Sequence, residues 1–133
     1  MVNLPSDRYL ALKAAMMPRD TNKYGTIFGG VLLSHIDLAG DIGAHAVFHA
    51  EGWSARSLVT VAMDRVEFKE PVFVGDTLSL WTQVSKIGRT SICVHVVAEV
   101  ERKNQRITVT EADVTYVAIE SKDGKRVPVA IRE

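Results

Sequence analysis

With 133 residues, 47% of them hydrophobic and 24% charged, the chain has the size and composition of a single globular domain spanning residues 1–133. Sixteen basic residues balance sixteen acidic ones, so the overall charge favours neither nucleic acid nor an acidic membrane surface as a partner. The longest stretch without Asp, Glu, Lys or Arg is Tyr24–Ile36, which is shorter than the roughly 20 apolar residues that span a bilayer, and we therefore expect a cytoplasmic protein.

The N-terminal part predicts one strand and a turn before a long helix. Tyr9–Met17 is apolar and is predicted as a strand, with a helix as the alternative, and turn-forming residues follow at Pro18–Asn22. From Val31 to about His49 the residues suit a helix, with apolar side chains on nearly every side. A helix of this kind must be covered by other structure or span a membrane, so we expect it in the middle of the fold.

The chain after Gly52 is typical of antiparallel strands joined by short turns. Alternating apolar residues predict strands at about Val59–Phe68, Leu78–Val84, Ile92–Val100 and Ile107–Ile119, with a bulge at Asp64-Arg65. The single Cys93 excludes an internal disulfide, and it is expected to be a small buried residue. The pattern predicts an α+β fold in which one curved antiparallel sheet wraps a long central helix.

Asp37 is the most informative side chain of the predicted helix. It is the only carboxylate in the first two turns of a helix that is expected to be buried. Burying an ionised carboxylate without partners costs several kcal/mol. Such a group takes part in chemistry, reaches a solvent gap, or pairs with a basic residue of another strand, and the residues alone leave these interpretations open.

Gly29-Gly30 precede the helix, and Asn22 lies in the loop before them. Amides at a helix start lack intrahelical partners and lie at the positive end of the helix dipole, so the Gly30 amide is a candidate oxyanion donor. The alternative is a helix entry that needs glycine conformations. The Asn22 amide could hold a water or a carbonyl oxygen, although most asparagines in such segments cap turns.

Asp41, His45 and His49 share one helix face at a spacing of four, which raises the question of a metal site. No further ligand is implied by the sequence, and a histidine near a helix C-terminus is favourable without a metal. We expect neither a metal nor a cofactor.

Several motifs together resemble one known family. The segment MPRDTNKYGTIFGG from Met17 to Gly30, followed by Ser34-His35-Ile36-Asp37, resembles the hotdog-fold acyl-CoA thioesterases of the bacterial broad-specificity and mammalian cytosolic type. Further matches are Val59–Ala62, Pro71-Val72 with Val74–Asp76, Gly88–Ser91 and Asp123–Pro128. The resemblance extends over nearly the whole chain.

The resemblance implies a hotdog fold and a homodimer that joins two sheets edge to edge, often as a trimer of dimers. It also implies hydrolysis of the thioester between an acyl group and coenzyme A. Asp37 matches the family's catalytic aspartate, which acts as a general base or as the nucleophile. Gly30 matches the oxyanion donor, and Asn22 matches the residue that faces the catalytic aspartate of the partner subunit.

The same resemblance identifies candidate residues for binding the substrate and its coenzyme A moiety: Gly29, Thr60, Lys86, Arg89, Thr90 and Ser91. Arg89 is the main candidate for a phosphate contact, although charged residues in turns are often only solvated. Asp20 is a rival carboxylate, because another hotdog branch places its catalytic aspartate in this loop before a Gly-His-x-Asn pattern. Thr21–Gly25 lacks that histidine, so Asp20 is predicted to be a turn residue.

Two other functions are compatible with a hotdog fold. One is a non-catalytic module that binds or senses acyl-CoA without cleaving it. The other is a dehydratase, which uses a catalytic histidine together with a carboxylate. No histidine here lies in that pattern, so the sequence favours the thioesterase.

Overall fold

The computed structural model describes residues 8–133 of the chain. The elements are β1 (Tyr9–Ala15), a short 3-10 helix (Pro18–Asp20), α1 (Gly29–Glu51), β2 (Ser57–Phe68), β3 (Thr77–Ile87), β4 (Ser91–Arg102), β5 (Gln105–Lys122) and β6 (Lys125–Pro128). The predicted strand, long helix and four further strands are therefore confirmed, and β6 is an additional strand that we did not predict.

The strands form one antiparallel sheet in the order β1-β3-β4-β5-β2, and the short β6 pairs with the end of β5. A register shift between Asp64 and Glu67, with Arg65 at φ 53, confirms the predicted bulge in β2. A second shift lies between Thr60 and Ala62 in the same strand. Within the described chain, β1 and β2 form the two outer edges of the five-strand path.

The core lies between α1 and the inner face of the sheet. Alternate residues of the central strands are buried as predicted, among them Leu78, Leu80, Ile92, Val94, Val96, Ala98 and Val100. By length and composition alone α1 would be able to cross a membrane, yet eight of its residues are buried in this protein. It is a core helix, as the apolar pattern predicted.

One side of α1 is not covered by its own chain. Gly30 and Ser34 are exposed, and Leu38 retains 53% of its accessible surface. The sheet thus wraps the helix as predicted, but it leaves this stripe uncovered in a single chain. The helix packs mainly on β1, β3 and β4 and barely reaches β2. Asp37 lies next to this exposed stripe, facing the β2 edge.

Two helical glycines bring α1 very close to the sheet. A Cβ at Gly40 would overlap the hydroxyl of Tyr116 on β5, and one at Gly43 would lie 2.7 Å from Cβ of Thr82 on β3. At either position, a side chain on the helix would overlap the side chain of the sheet. The absence of Cβ atoms at these two positions therefore sets the distance between helix and sheet.

Cys93 does not occupy the core position that we expected. Because Ile92 and Val94 point inward, the alternation along β4 directs Cys93 to the outer face, where it is partly exposed. His95 lies two residues further on the same face, with its Nδ1 atom 2.7 Å from Oδ1 of Asp113. The cysteine thus lies in a polar environment rather than an apolar one.

Candidate active site

Asp37 is half-buried at the gap between α1 and β2. The hydroxyl of Thr60 donates a hydrogen bond of 2.7 Å to Oδ1 of Asp37. None of the ion pairs formed within residues 8–133 includes Asp37. Within the described residues of one chain, this carboxylate therefore pairs with no basic residue of another strand. An ionised carboxylate has about four acceptor sites, so the Thr60 hydroxyl alone does not fill them.

Tyr116 holds the main chain of the same residue. Its hydroxyl donates a hydrogen bond of 2.6 Å to the main-chain carbonyl oxygen of Asp37, and the side chain is only 1% exposed. Burial raises the pKa of Tyr116 well above its usual value, and the negative charges of Asp37 and Asp41 raise it further. The phenol therefore stays protonated and remains a hydrogen-bond donor.

The register of the sheet explains how these groups meet. Thr60 on β2 lies directly opposite Tyr116 on β5, which lies opposite Ile92 on β4, which lies opposite Ile87 on β3. This row crosses the sheet at one level, from the Asp37 contact to the β3–β4 turn. The turn that carries Arg89 is thus at the same end of the sheet as Asp37.

The start of α1 offers two unused amides. The N-cap residue Phe28 makes no side-chain capping bond, and its carbonyl oxygen accepts from Val31 and Leu32. The amides of Gly29 and Gly30 donate no hydrogen bond within the described chain. Gly30 is seven residues, or about two helical turns, before Asp37 and thus on the same side of the helix. A shallow cavity of about 270 Å³, lined by Gly29 and Phe68, opens beside it.

Asn22 closes its own loop rather than contacting Asp37 of the same chain. Its Oδ1 atom accepts from the amides of Tyr24 at 2.8 Å and Thr26 at 3.2 Å, and its Nδ2 donates to the Thr26 hydroxyl at 2.8 Å. Within one chain it is therefore a turn-forming residue. One hydrogen of the Nδ2 group has no role in this loop, since only one of its two donors is used there.

Asp20 is a turn residue, as predicted. Its Oδ2 atom accepts a hydrogen bond of 2.9 Å from the amide of Met17, across the short 3-10 helix. On α1, Asp41 and His45 approach to 3.4 Å, while His49 is exposed. No group of three or more potential metal ligands converges in residues 8–133.

The candidate coenzyme A residues do not form one surface in a single chain. Thr60 bonds to Asp37 and Gly29 begins α1, whereas Arg89 and Thr90 are in the β3–β4 turn. That turn is anchored by hydrogen bonds from Ile131 to the Arg89 carbonyl and from Ala118 to the Thr90 carbonyl. Thr60 therefore contacts Asp37 and lies across the sheet from the β3–β4 turn, although it was a candidate for binding the substrate or its coenzyme A moiety.

The residues around the β3–β4 turn line two different cavities. Arg89 faces a cleft of about 380 Å³ that it shares with Arg132. Lys86 and Ser91 line a wider depression of about 1010 Å³ on the outer face of the sheet, together with His95. Sequence reasoning missed Arg132, because no periodic pattern links the last residues to this turn.

Sequence reasoning also missed Tyr116 and Gly40. The inward alternation of β5 places Tyr116 among buried residues, and a buried phenol usually needs a hydrogen-bond partner. That signal was present in the sequence. Its partner was not, because the contact joins residues 79 positions apart.

Known proteins resemble this chain in both sequence and fold. Residues 24–109 match the sequence profile of the thioesterase superfamily. An acyl-CoA thioester hydrolase of Salmonella typhimurium is 36% identical over an alignment of 137 positions, which includes 99% of this chain and 97% of that protein. A hexameric hotdog-fold thioesterase of Campylobacter jejuni is 44% identical, with a TM-score of 0.75 over 91% of this chain and 90% of the other.

A third relative is an acyl-CoA hydrolase of Staphylococcus aureus, whose structure was solved with butyryl-coenzyme A, coenzyme A and coenzyme A disulfide. It is 29% identical, with a TM-score of 0.73 over 90% of this chain and 70% of the other. Two of its variants were also solved, one with an aspartate and one with an asparagine replaced by alanine, at positions 15 residues apart. Asn22 and Asp37 have the same separation.

Proposed function

The chain belongs to the thioesterase superfamily, and from that premise we propose that it hydrolyses acyl-CoA to a fatty acid and free coenzyme A. The observation that carries the proposal is the state of Asp37. This carboxylate is half-buried, has no basic partner in the described chain, and accepts a hydrogen bond from a neutral hydroxyl, that of Thr60. A group of this kind is suited to accept a proton or to attack a carbonyl carbon.

The carboxylate of Asp37 supports two versions of the first step. As a general base it removes a proton from water, whose oxygen attacks the thioester carbonyl carbon. As a nucleophile it attacks that carbon itself, and water then cleaves the resulting anhydride. In both versions the carbon–sulfur bond breaks and the coenzyme A thiolate leaves and is protonated. After a single turnover in ¹⁸O-water, label in Asp37 would identify the nucleophilic route with attack of water on the aspartyl carbonyl carbon, and a trapped acyl-Asp37 anhydride would identify that route if water attacks the acyl carbon instead.

The amide of Gly30 is proposed to stabilise the oxyanion that forms on the carbonyl oxygen. The amides of Gly29 and Gly30 are unused in the described chain and lie at the positive end of α1. Removing one such donor from an oxyanion site typically lowers kcat by about 10²- to 10³-fold. The shallow apolar cavity beside Gly29 offers room for the acyl group next to these amides.

We further propose that each site is completed by Asn22 of a second subunit in a homodimer, and that dimers assemble into a hexamer. The exposed stripe of α1 at Leu38, together with Val61 at 56% exposure on the edge strand β2, supports such an interface. The free donor on Asn22 and the 15-residue spacing shared with the S. aureus enzyme support its assignment. The C. jejuni relative is itself hexameric.

Coenzyme A is proposed to reach the β3–β4 turn with its phosphates, where Arg89 supplies a charge-assisted contact. Thr90 lies in the same turn, Ser91 begins β4 directly after it, and Lys86 lies at the end of β3 before it. The location of this turn at the level of Thr60 supports a substrate that runs from the turn to Asp37. We place this activity in the cytoplasm, where coenzyme A thioesters are made and used.

The test is a thiol-release assay with a panel of acyl-CoA substrates of different chain length. We expect multiple turnovers by the wild-type protein and a loss of turnover in Asp37→Ala. Binding of acyl-CoA by calorimetry without release of thiol would instead identify the non-catalytic sensing module. Turnover that is unaffected in Asp37→Ala would retain the thioesterase and refute the catalytic assignment.

A further inference from the structure

Two hydroxyl groups from neighbouring strands bond to the same residue of α1. Thr60 donates to the carboxylate of Asp37, and Tyr116 donates to its main-chain carbonyl oxygen. The two donors are direct register partners on β2 and β5. The side chain and the backbone of Asp37 are therefore each tied to the sheet at one level.

The hydroxyl of Tyr116 is not needed to fill the core. A phenylalanine ring would occupy nearly the same volume without the cost of burying a polar group. The hydroxyl is nevertheless buried, and the carbonyl oxygen of Asp37 is a suitable acceptor because it has a second lone pair besides its intrahelical bond. The bond connects the sheet to the one helical turn that carries the proposed catalytic carboxylate.

The helix backbone is shaped to admit this hydroxyl. A Cβ at Gly40 would overlap the hydroxyl and lie 3.0 Å from Cζ of the Tyr116 ring. Any residue other than glycine would push the ring away or lift the helix. Gly40 and Tyr116 thus form a matched pair across the helix–sheet interface.

A second glycine contact on the same helix provides an internal comparison. Gly43 approaches Thr82 just as closely, but the Thr82 hydroxyl donates to the carbonyl oxygen of Tyr9 on β1, at 3.1 Å. That contact brings helix and sheet together without a hydrogen bond to the helix. Of these two close contacts, therefore, only the one at Gly40 includes a hydrogen bond from a hydroxyl of the sheet to the backbone of the helix.

We propose that Tyr116 is a positioning residue for the hydrolysis, which together with Gly40 fixes the turn of α1 that carries Asp37. It acts by holding the backbone of Asp37 so that the carboxylate stays on Thr60 and faces the substrate gap. A misplacement of about 1 Å in a reacting group can lower a rate by about 10²-fold. This inference rests on the thioesterase function proposed above.

The first test compares Tyr116→Phe in two backgrounds. In the wild-type background we expect kcat to fall roughly 10- to 100-fold with KM changed about 2-fold or less, because the substrate contacts remain. In the Asp37→Ala background Tyr116→Phe should cause no further fall in the residual rate. Equal loss in both backgrounds, or an unchanged kcat in the first, would overturn the proposal. The wild-type rate separately decides whether the protein is a thioesterase.

A second test changes the helix side of the contact, and its kcat measurements need no variant of Tyr116. Gly40→Ala should displace the Tyr116 hydroxyl and lower kcat, whereas the matched control Gly43→Ala should lower the melting temperature with a much smaller change in kcat. The melting temperatures of Gly40→Ala and Gly43→Ala, each alone and combined with Tyr116→Phe, add a readout other than activity. Gly40→Ala should cost less stability in the Tyr116→Phe background, because part of the overlap is removed, and Gly43→Ala should cost the same in both backgrounds. Equal kcat losses for the two alanine variants, or additive melting shifts at Gly40, would contradict the pairing.

Discussion

Asp76 and Asp37 are two half-buried carboxylates of this fold whose surroundings differ in nearly every polar contact. Asp76, at the start of β3, accepts a hydrogen bond of 2.6 Å from Arg102 and one of 2.9 Å from the amide of Phe73. Burial alone would raise the pKa of Asp76, but these bonds and the positive charge of Arg102 outweigh it and lower the pKa. Its charge is neutralised locally, and the carboxylate ties β3 to β4.

Asp37 has one neutral donor, the Thr60 hydroxyl, and no cation among the described residues. A carboxylate whose acceptor sites are filled by a guanidinium and an amide stabilises structure but has little left for chemistry. A carboxylate whose bonded partner is a neutral hydroxyl has acceptor sites left that can approach a water or a carbonyl carbon. The contrast teaches that the number and charge of the donors, more than burial itself, distinguish the structural aspartate from the one proposed to be catalytic.

The largest expected effect tests this contrast directly with Asp37→Ala and Asp76→Ala. The first should lower turnover by about 10²- to 10⁴-fold with little change in unfolding free energy, because it removes the proposed base or nucleophile. The second should leave kcat per folded molecule nearly unchanged and lower stability by about 1.5–3 kcal/mol, because it removes charge-assisted bonds. Thiol release and urea unfolding measure the two quantities. Asp20→Ala serves as a further control with a small effect on turnover.

Asp37 is proposed to obtain a further polar partner, Asn22, from a second subunit, and subunit exchange tests this difference from Asp76. Two inactive variants, Asn22→Ala and Asp37→Ala, are mixed under conditions that allow subunit exchange. In a mixed dimer one site carries both defects and the other carries neither, so at equal mixing about a quarter of wild-type activity should return. Exchange is verified by mass spectrometry of the dimers. No recovery after verified exchange would show that the site lies within one chain.

Arg89 is a cation that we propose binds the phosphates of the substrate, whereas Arg102 binds the carboxylate of Asp76. Arg89→Ala should raise KM for acyl-CoA by roughly 10- to 100-fold, because a charge-assisted phosphate contact contributes about 1.5–3 kcal/mol. An acyl-pantetheine substrate, which lacks the nucleotide phosphates, is the matched control and should show little change. A similar rise for both substrates would indicate that Arg89 supports the turn instead.

The smallest expected effect concerns acid stability at Asp76. Because its pKa is lowered in the folded protein from the usual 3.8, the stabilisation is present above about pH 4 and is lost as the pH falls through the folded value. One such group contributes a slope of at most about 1.4 kcal/mol per pH unit. Denaturant unfolding from pH 6 to pH 2 should therefore give a shallower decline for Asp76→Asn than for the wild type. Parallel curves would show that Asp76 does not titrate with folding.

The elements of this fold were predictable because local periodicity encodes them. The helix of Gly29–Glu51 and the inward residues of β3 and β4 follow from spacing alone. The exposed stripe at Leu38 was not predicted, since an apolar surface on a helix looks the same whether its own sheet or another subunit covers it. The short β6 was missed because Lys125–Pro128 has no alternating pattern.

The candidate site was predictable only in part. Asp37 stood out because a lone carboxylate in an apolar helix is unusual, and the family resemblance added Asn22 and Gly30. The contacts that hold Asp37 depend on the register between β2 and β5, which brings Thr60 opposite Tyr116. Such a pairing is non-local: a shift of one residue would turn Tyr116 to the outer face, and no spacing within one segment fixes it.

The loop around Asn22 has a consequence for how subunits associate. Its hydrogen bonds to Tyr24 and Thr26 are already present in a single chain. If this loop reaches into the neighbouring site as proposed, its conformational entropy has been lost during folding and is not lost again on association. The loop then approaches its partner as a rigid, preformed surface, which favours tight assembly from dilute subunits over a slow search by a flexible segment.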